Sequence, residues 1–186
     1  RLKAGDEVTQ IGDISLKEYK EDASQLFRGA KNTKVEIQYI RQGKSQTATI
    51  ILDEVEIKAV PFYALLKDNI GYIVLSKFTE KASSETKSAL LDLKKQGATK
   101  VILDLRGNPG GLLHEAVNIC NLFVAKDELI VTTKSKNPKH NHVYKTKNEP
   151  IDLEIPIAVI VDGKSASASE IVAGAIQDLD RGVILG

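Results

Sequence analysis

From Ile70 onward the chain alternates short apolar runs with amphipathic stretches, and this alternation constrains the fold more than any single motif. Apolar runs at 71–76, 100–105, 157–162 and 183–185 read as strands, and the stretches 82–96, 112–125 and 167–179 read as helices. The second helix presents Leu113, Ala116, Val117, Cys120 and Val124 on one side; the third presents Ile171, Val172, Ala175, Ile176 and Leu179. Gly97 stands where a C-cap belongs after the first. Such a β-then-α order predicts an α/β fold with a mainly parallel sheet and right-handed crossovers. Residues 127–156 break the order. There Leu129 to Thr133, a basic polar loop and Val143 to Lys145 suggest an inserted hairpin.

Residues 1–53 have a different texture and read as a small α+β unit. Leu2-Lys-Ala-Gly-Asp6 is a turn, and Val8 to Ile11 a strand. Residues 15–28 are expected to be helical, with Leu16, Tyr19, Ala23, Leu26 and Phe27 on one side. Val35, Ile37 and Tyr39 alternate with polar residues before Gln42-Gly43-Lys44 turns the chain into Thr47 to Leu52, a hairpin. Three strands and one helix make a thin core, so this unit is expected to lack its beginning. Residues 54–69, with Pro61, read as the connection to a second domain over 70–186.

At 42% hydrophobic the 186 residues can build a proper core, and a net charge of +1 gives no sign of a nucleic-acid surface. The single cysteine, Cys120, excludes an internal disulfide framework and reads as packing. No apolar run is long enough to span a membrane.

The chemistry-bearing stretch is Val161-Asp-Gly-Lys-Ser-Ala-Ser-Ala-Ser-Glu-Ile171, where a strand enters a helix through small and hydroxylic residues. Backbone N–H groups at such a helix start are accessible and sit at the positive end of its dipole. Ser167 is the candidate nucleophile. Ser167-Ala-Ser-Glu170 is equally a capping box, and capping boxes are far commoner than active serines. A second loop shifts the balance: Leu103-Asp-Leu-Arg-Gly-Asn-Pro-Gly-Gly-Leu112 also links a strand to a helix. In an open parallel sheet, loops leaving carboxyl ends of strands gather on one edge, and paired glycines there offer free N–H groups to a developing oxyanion.

A serine also needs a base. His114 lies in the first turn of the second helix, while His140 and His142 lie in a lysine-rich loop and make a poor metal site. Asp178 falls on nearly the face of Ser167 but about 16 Å further along the helix, which leaves it at most a supporting role.

Asp104 to Leu112 together with Ser165-Ala-Ser-Ala-Ser-Glu-Ile-Val-Ala-Gly-Ala-Ile-Gln-Asp178 resembles the carboxy-terminal processing peptidases, or tail-specific proteases. Ile70 to Phe78 is similar to the strand opening their core; Leu2-Lys-Ala-Gly-Asp6 and Phe27-Arg-Gly29 are similar to the later part of their PDZ domain. The resemblance covers essentially the whole chain. It implies a crotonase-like, mainly parallel βαβ catalytic core preceded by a partial PDZ domain whose first strands are missing. The implied activity is that of a serine endopeptidase cleaving proteins near C-terminal tails, through a Ser-Lys dyad and an acyl-enzyme. Ser167 would be the nucleophile; the N–H of Ala168 and that of Gly110 or Gly111 would form the oxyanion hole, with Glu170 and Asp178 in support. Neither cofactor nor metal is implied. The setting would be the cell envelope, periplasmic or extracytoplasmic, with room for membrane association and homo-oligomers in the full-length form.

One departure is large. The family's general-base lysine lies some way beyond the nucleophile, and no lysine follows Ser167 here. Lys164 belongs to the turn, where a solvated ammonium is a poor base. These residues on their own are therefore expected to be inactive. A non-catalytic, tail-binding scaffold is the main rival reading. A crotonase-like acyl-CoA hydratase or thioesterase ranks lower, since it needs neither the serine turn nor a PDZ domain.

Overall fold

The computed structural model describes residues 2–54 and 57–186. The chain divides into two compact units, Arg1–Glu56 and Ile57–Gly186.

In the first unit, β1 (Glu7–Ile11), β2 (Ile14–Ser15), β3 (Lys34–Arg41) and β4 (Lys44–Ile51) form an antiparallel sheet in the order β2-β1-β3-β4. Strand alternation turns Ile37 and Tyr39 inward onto Ile11, with Leu16, Leu26 and Phe27 packed against them. The helix expected over 15–28 does not form. Only Ala23–Phe27 coils, as a 3-10 turn started by Asp22, whose carboxylate accepts the Ser24 N–H at 2.9 Å. Of the apolar residues that suggested a helical face, Leu16, Leu26 and Phe27 still reach the core, Leu16 from just after β2 and the other two from this short turn. The aspartate's local hydrogen bonds compete with helix in the charged stretch between.

The second unit contains β5 (Phe62–Leu65), β6 (Ile70–Val74), α1 (Ala82–Lys95), β7 (Lys100–Asp104), α2 (Leu113–Cys120), β8 (Leu129–Thr133), β9 (His142–Lys145), β10 (Ile157–Ile160), α3 (Ala168–Asp178) and β11 (Gly182–Leu185). Its main sheet runs β11-β10-β7-β6-β5, with β6, β7, β10 and β11 parallel and β5 antiparallel to β6. The stretch 54–69, read as connection, thus contributes an edge strand from Phe62. Its short apolar run has no alternation to announce it. β8 and β9 pair as the inserted hairpin. The second helix stops well before residue 125, because Asn121 is drawn into the insertion: its Oδ1 accepts the N–H groups of Lys147 and Asn148, at 3.1 and 2.8 Å.

The parallel strands are laid down in one direction across the sheet, so right-handed crossovers put every helix on the same face. That face carries the core: Ile73, Val101, Leu103, Ile157 and Val159 are buried. A Cβ on Gly71 would stand 3.1 Å from Leu93 of α1, and one on Gly182 would stand 3.0 Å from Ile176 of α3. Tyr72, Val74, Ile102, Ala158 and Ile160, pointing the other way, are only partly buried. Among the described residues, no helix is long and apolar enough to cross a membrane.

Candidate active site

β7 and β10 are neighbours whose last paired residues are Asp104 and Ile160, so the glycine loop and the serine loop leave the sheet side by side. Asp104 anchors the first. It is buried and takes hydrogen bonds from the Tyr72 hydroxyl and from Arg106, whose Nη2 lies at 2.6 Å. Burial alone would raise its pKa, but the bonds from Arg106 and Tyr72 outweigh it and hold the carboxyl below its usual value.

The two loops are then laced together. Gly107 N–H donates to Asp162 Oδ1 at 2.9 Å, Ser165 Oγ donates to Leu105 O at 2.8 Å, and Ala166 N–H and Ser169 Oγ donate to Asn108 O at 3.1 and 3.0 Å. Asp162 Oδ1 also accepts the N–H groups of Lys164 and Ser165, at 3.0 and 3.1 Å. The Gly107 bond first, and these with it, hold the Asp162 pKa down against partial desolvation. Asn108 and Asp162 lie inside the sequence motifs, yet nothing in their spacing marked them as the clamps between loops.

Ser167 sits between these anchors, exposed, as the N-cap of α3. It pairs with Glu170 as a capping box, its N–H donating to Glu170 Oε2 at 2.6 Å. Its backbone is not that of an ordinary cap. N-caps adopt extended dihedrals, whereas Ser167 has φ 54° and ψ −111°, a combination costly for any residue with a Cβ. Capping needs no such strain. Ser167 is exposed at the helix start, whereas Ser165 and Ser169 are tied into the loops and Ser169 is fully buried.

The glycine pair lies against this turn. A Cβ on Gly110 would meet Ala166 O at 2.7 Å and both Ala168 N and Ser167 Cβ at 2.9 Å; one on Gly111 would meet Phe78 O at 2.3 Å. Gly110 and Gly111 have φ of 96° and 147°, so only glycine fits here. Their N–H groups differ in availability. Gly110 N–H donates to Asn108 Oδ1 at 2.8 Å. Neither Gly111 N–H nor Ala168 N–H has a hydrogen-bond partner among the described residues.

The remaining candidates stand apart. Asp178 is the last residue of α3, exposed, at the opposite end of the helix from Ser167. His114 is exposed in the first turn of α2, with its Nε2 3.8 Å from Glu115 Oε1. His140 and His142 lie exposed in the inserted hairpin, and Lys164 is exposed on the serine turn. Cys120 is wholly buried, and burial pushes its thiol up to about 12. Among the described residues, no group of three or more His, Cys, Asp or Glu side chains is arranged to hold a metal ion.

A strained, exposed serine at a helix start, beside two unpaired N–H groups, sets a hydroxyl next to donors that can hold an oxyanion. Residues 69–186 match peptidase family S41. The chain belongs to that family. A probable CtpA-like serine protease of Staphylococcus saprophyticus is 34% identical over 100% of the chain and 38% of its own length. A relative of the same name in Staphylococcus aureus is 31% identical, over 100% and 37%. The chain therefore spans little more than a third of these S41 relatives. Among solved structures, a photosystem II D1 C-terminal processing protease is 27% identical with a TM-score of 0.59, over 98% of this chain and 51% of that one. A Bacteroides fragilis protein shares the fold at a TM-score of 0.60 and 17% identity, over 98% and 54%.

Proposed function

We propose that the protein to which this chain belongs is a serine endopeptidase that processes proteins near their C-terminal tails, with Ser167 as nucleophile. The observation that carries this is the positive φ of Ser167 at an exposed helix start. S41 membership and the D1-processing relative support the substrate class. In this reading Ser167 Oγ attacks the scissile carbonyl and loses its proton to a base. The carbonyl oxygen, now an anion, takes hydrogen bonds from Ala168 N–H and Gly111 N–H. Collapse breaks the C–N bond, the amine leaves with the proton the base had taken, and the acyl-enzyme that remains is hydrolysed by water. Gly110 is left to shape the hole, since its own N–H is engaged by Asn108.

The base in this proposal is a neutral lysine, as the family resemblance implies. The 186 residues hold no lysine after Ser167, and Lys164 is exposed on the serine turn. Residues 1–53 would act as the PDZ part that receives the substrate tail, ahead of a crotonase-like core. Glu170 supports the nucleophile through its bond to the Ser167 N–H. A cell-envelope setting belongs to the same proposal.

The test is labelling of the full-length protein with a fluorophosphonate, alongside cleavage of a reporter carrying an unstructured apolar tail. Both should vanish in Ser167→Ala. A wild-type protein that binds the tail but neither labels nor cleaves would make it a tail-binding scaffold instead.

A further inference from the structure

We propose that Asn108 is the positioning residue of the oxyanion hole, orienting Gly111 N–H by occupying its neighbour. The inference rests on the reading of Ser167 as nucleophile. Asn108 is 0% exposed, yet it touches three separate segments. Its Nδ2 donates to Leu75 O just past β6 at 2.8 Å, its Oδ1 accepts Gly110 N–H at 2.8 Å, and its backbone carbonyl takes Ala166 N–H and the Ser169 hydroxyl from the serine turn. The side chain uses an acceptor and a donor at once, on one short planar group. An aliphatic residue offers neither, and an ionised carboxylate offers no donor.

The consequence for Gly111 follows from peptide geometry. Asn108 holds the Gly110 N–H, and Phe78 N–H holds the Gly110 carbonyl at 3.1 Å. With both sides of Gly110 held, the Gly110–Gly111 peptide plane has little freedom. In a trans peptide the N–H points opposite to the carbonyl of the same plane. Gly111 N–H is therefore aimed away from Phe78, and Gly111 itself is exposed. Asn108 is the one side chain in this arrangement; the other restraints are backbone. Without it, Gly110 N–H would be free and the glycine pair, with positive φ at both positions, could rotate.

The experiment uses the full-length protein with Asn108→Ala, Asn108→Asp and Ser167→Ala. It reads kcat and KM on a tailed reporter, and tail-peptide affinity in the Ser167→Ala background. Asn108→Ala should lower kcat by roughly 10²–10³-fold, the cost of one oxyanion donor. KM and tail affinity should stay within about twofold, because only a transition-state contact is lost. Asn108→Asp supplies a signature that mere loop support would not. A neutral carboxyl reproduces both bonds, while the ionised form loses the donor and puts negative charge where negative charge develops. Its kcat relative to wild type should fall as pH rises, with tail affinity constant over the same range.

Cleavage surviving in Ser167→Ala would overturn the nucleophile reading, and this inference with it. If Ser167→Ala is inactive but folded Asn108→Ala keeps wild-type kcat, or kcat and KM change together, the positioning role alone falls. Should Asn108→Ala not fold, the Asn108→Asp ratio decides, and a flat ratio refutes the proposal.

Discussion

Gly110 lies so close to Ser167 that a Cβ on it would stand 2.9 Å from the Ser167 Cβ. The glycine loop is thus the wall against which the serine turn is built. Gly110→Ala should disrupt that wall, since two of the three atoms it would meet are backbone and cannot step aside. Overpacking and the left-handed φ should each cost about 1–3 kcal/mol. Displacement of the turn by about 1 Å should lower kcat by roughly 10²-fold. Thermal melting and cleavage by the full-length variant check both, and wild-type activity would mean the two loops do not cooperate.

The three serines of the turn should separate cleanly. Ser165 and Ser169 hydroxyls are bonded to carbonyls of the glycine loop, whereas Ser167 is exposed. Ser169→Ala loses one hydrogen bond and should cost about 1 kcal/mol of stability; Ser165→Ala, whose hydroxyl also accepts the Asp162 N–H at 3.0 Å, should cost about 2 kcal/mol. Both should keep part of their cleavage, while Ser167→Ala should keep none. Equal losses in all three would make the hydroxyls a structural set with no nucleophile among them.

Asp162 predicts a pH dependence of stability. Hydrogen bonds led by Gly107 N–H depress its folded pKa. A depressed carboxylate contributes stability above its unfolded pKa, near 3.9, and the contribution fades as pH falls through the folded value. Asp162→Asn should therefore melt below wild type at pH 7, and the gap should close on acidification. A gap constant from pH 7 to pH 3 would show that charge at Asp162 contributes nothing.

The strand–helix order of the second unit was legible because period-2 and period-3.6 apolar patterns survive in a sequence. So was the meeting of the two loops, which topology alone requires. Less legible were features that depend on hydrogen bonds between distant residues. The free N–H of the glycine pair is decided by the Asn108 amide, and α2 ends where Asn121 reaches Asn148. Residues 15–28 misled for a different reason: Leu16, Leu26 and Phe27 have helical spacing but reach one core from the turn after β2 and from a 3-10 turn. The conformation of Ser167 was invisible, because Ser-Ala-Ser-Glu is a capping box whichever way the backbone turns.

That hidden strain leads to the sharpest prediction. At φ 54° and ψ −111°, Ser167 pays for its Cβ, and glycine would not. Relief should be worth about 1–3 kcal/mol, against a few tenths lost from the cap. Ser167→Gly should therefore raise the melting temperature by several degrees while abolishing cleavage and fluorophosphonate labelling. Ser167→Ala should abolish both without the gain, because alanine keeps the Cβ and its strain. The pair of variants separates nucleophile from cap: a residue present only to start α3 would lose stability on substitution, and its removal would leave catalysis intact. Destabilisation by Ser167→Gly with activity retained would return the serine to capping and leave the two unpaired N–H groups without a role.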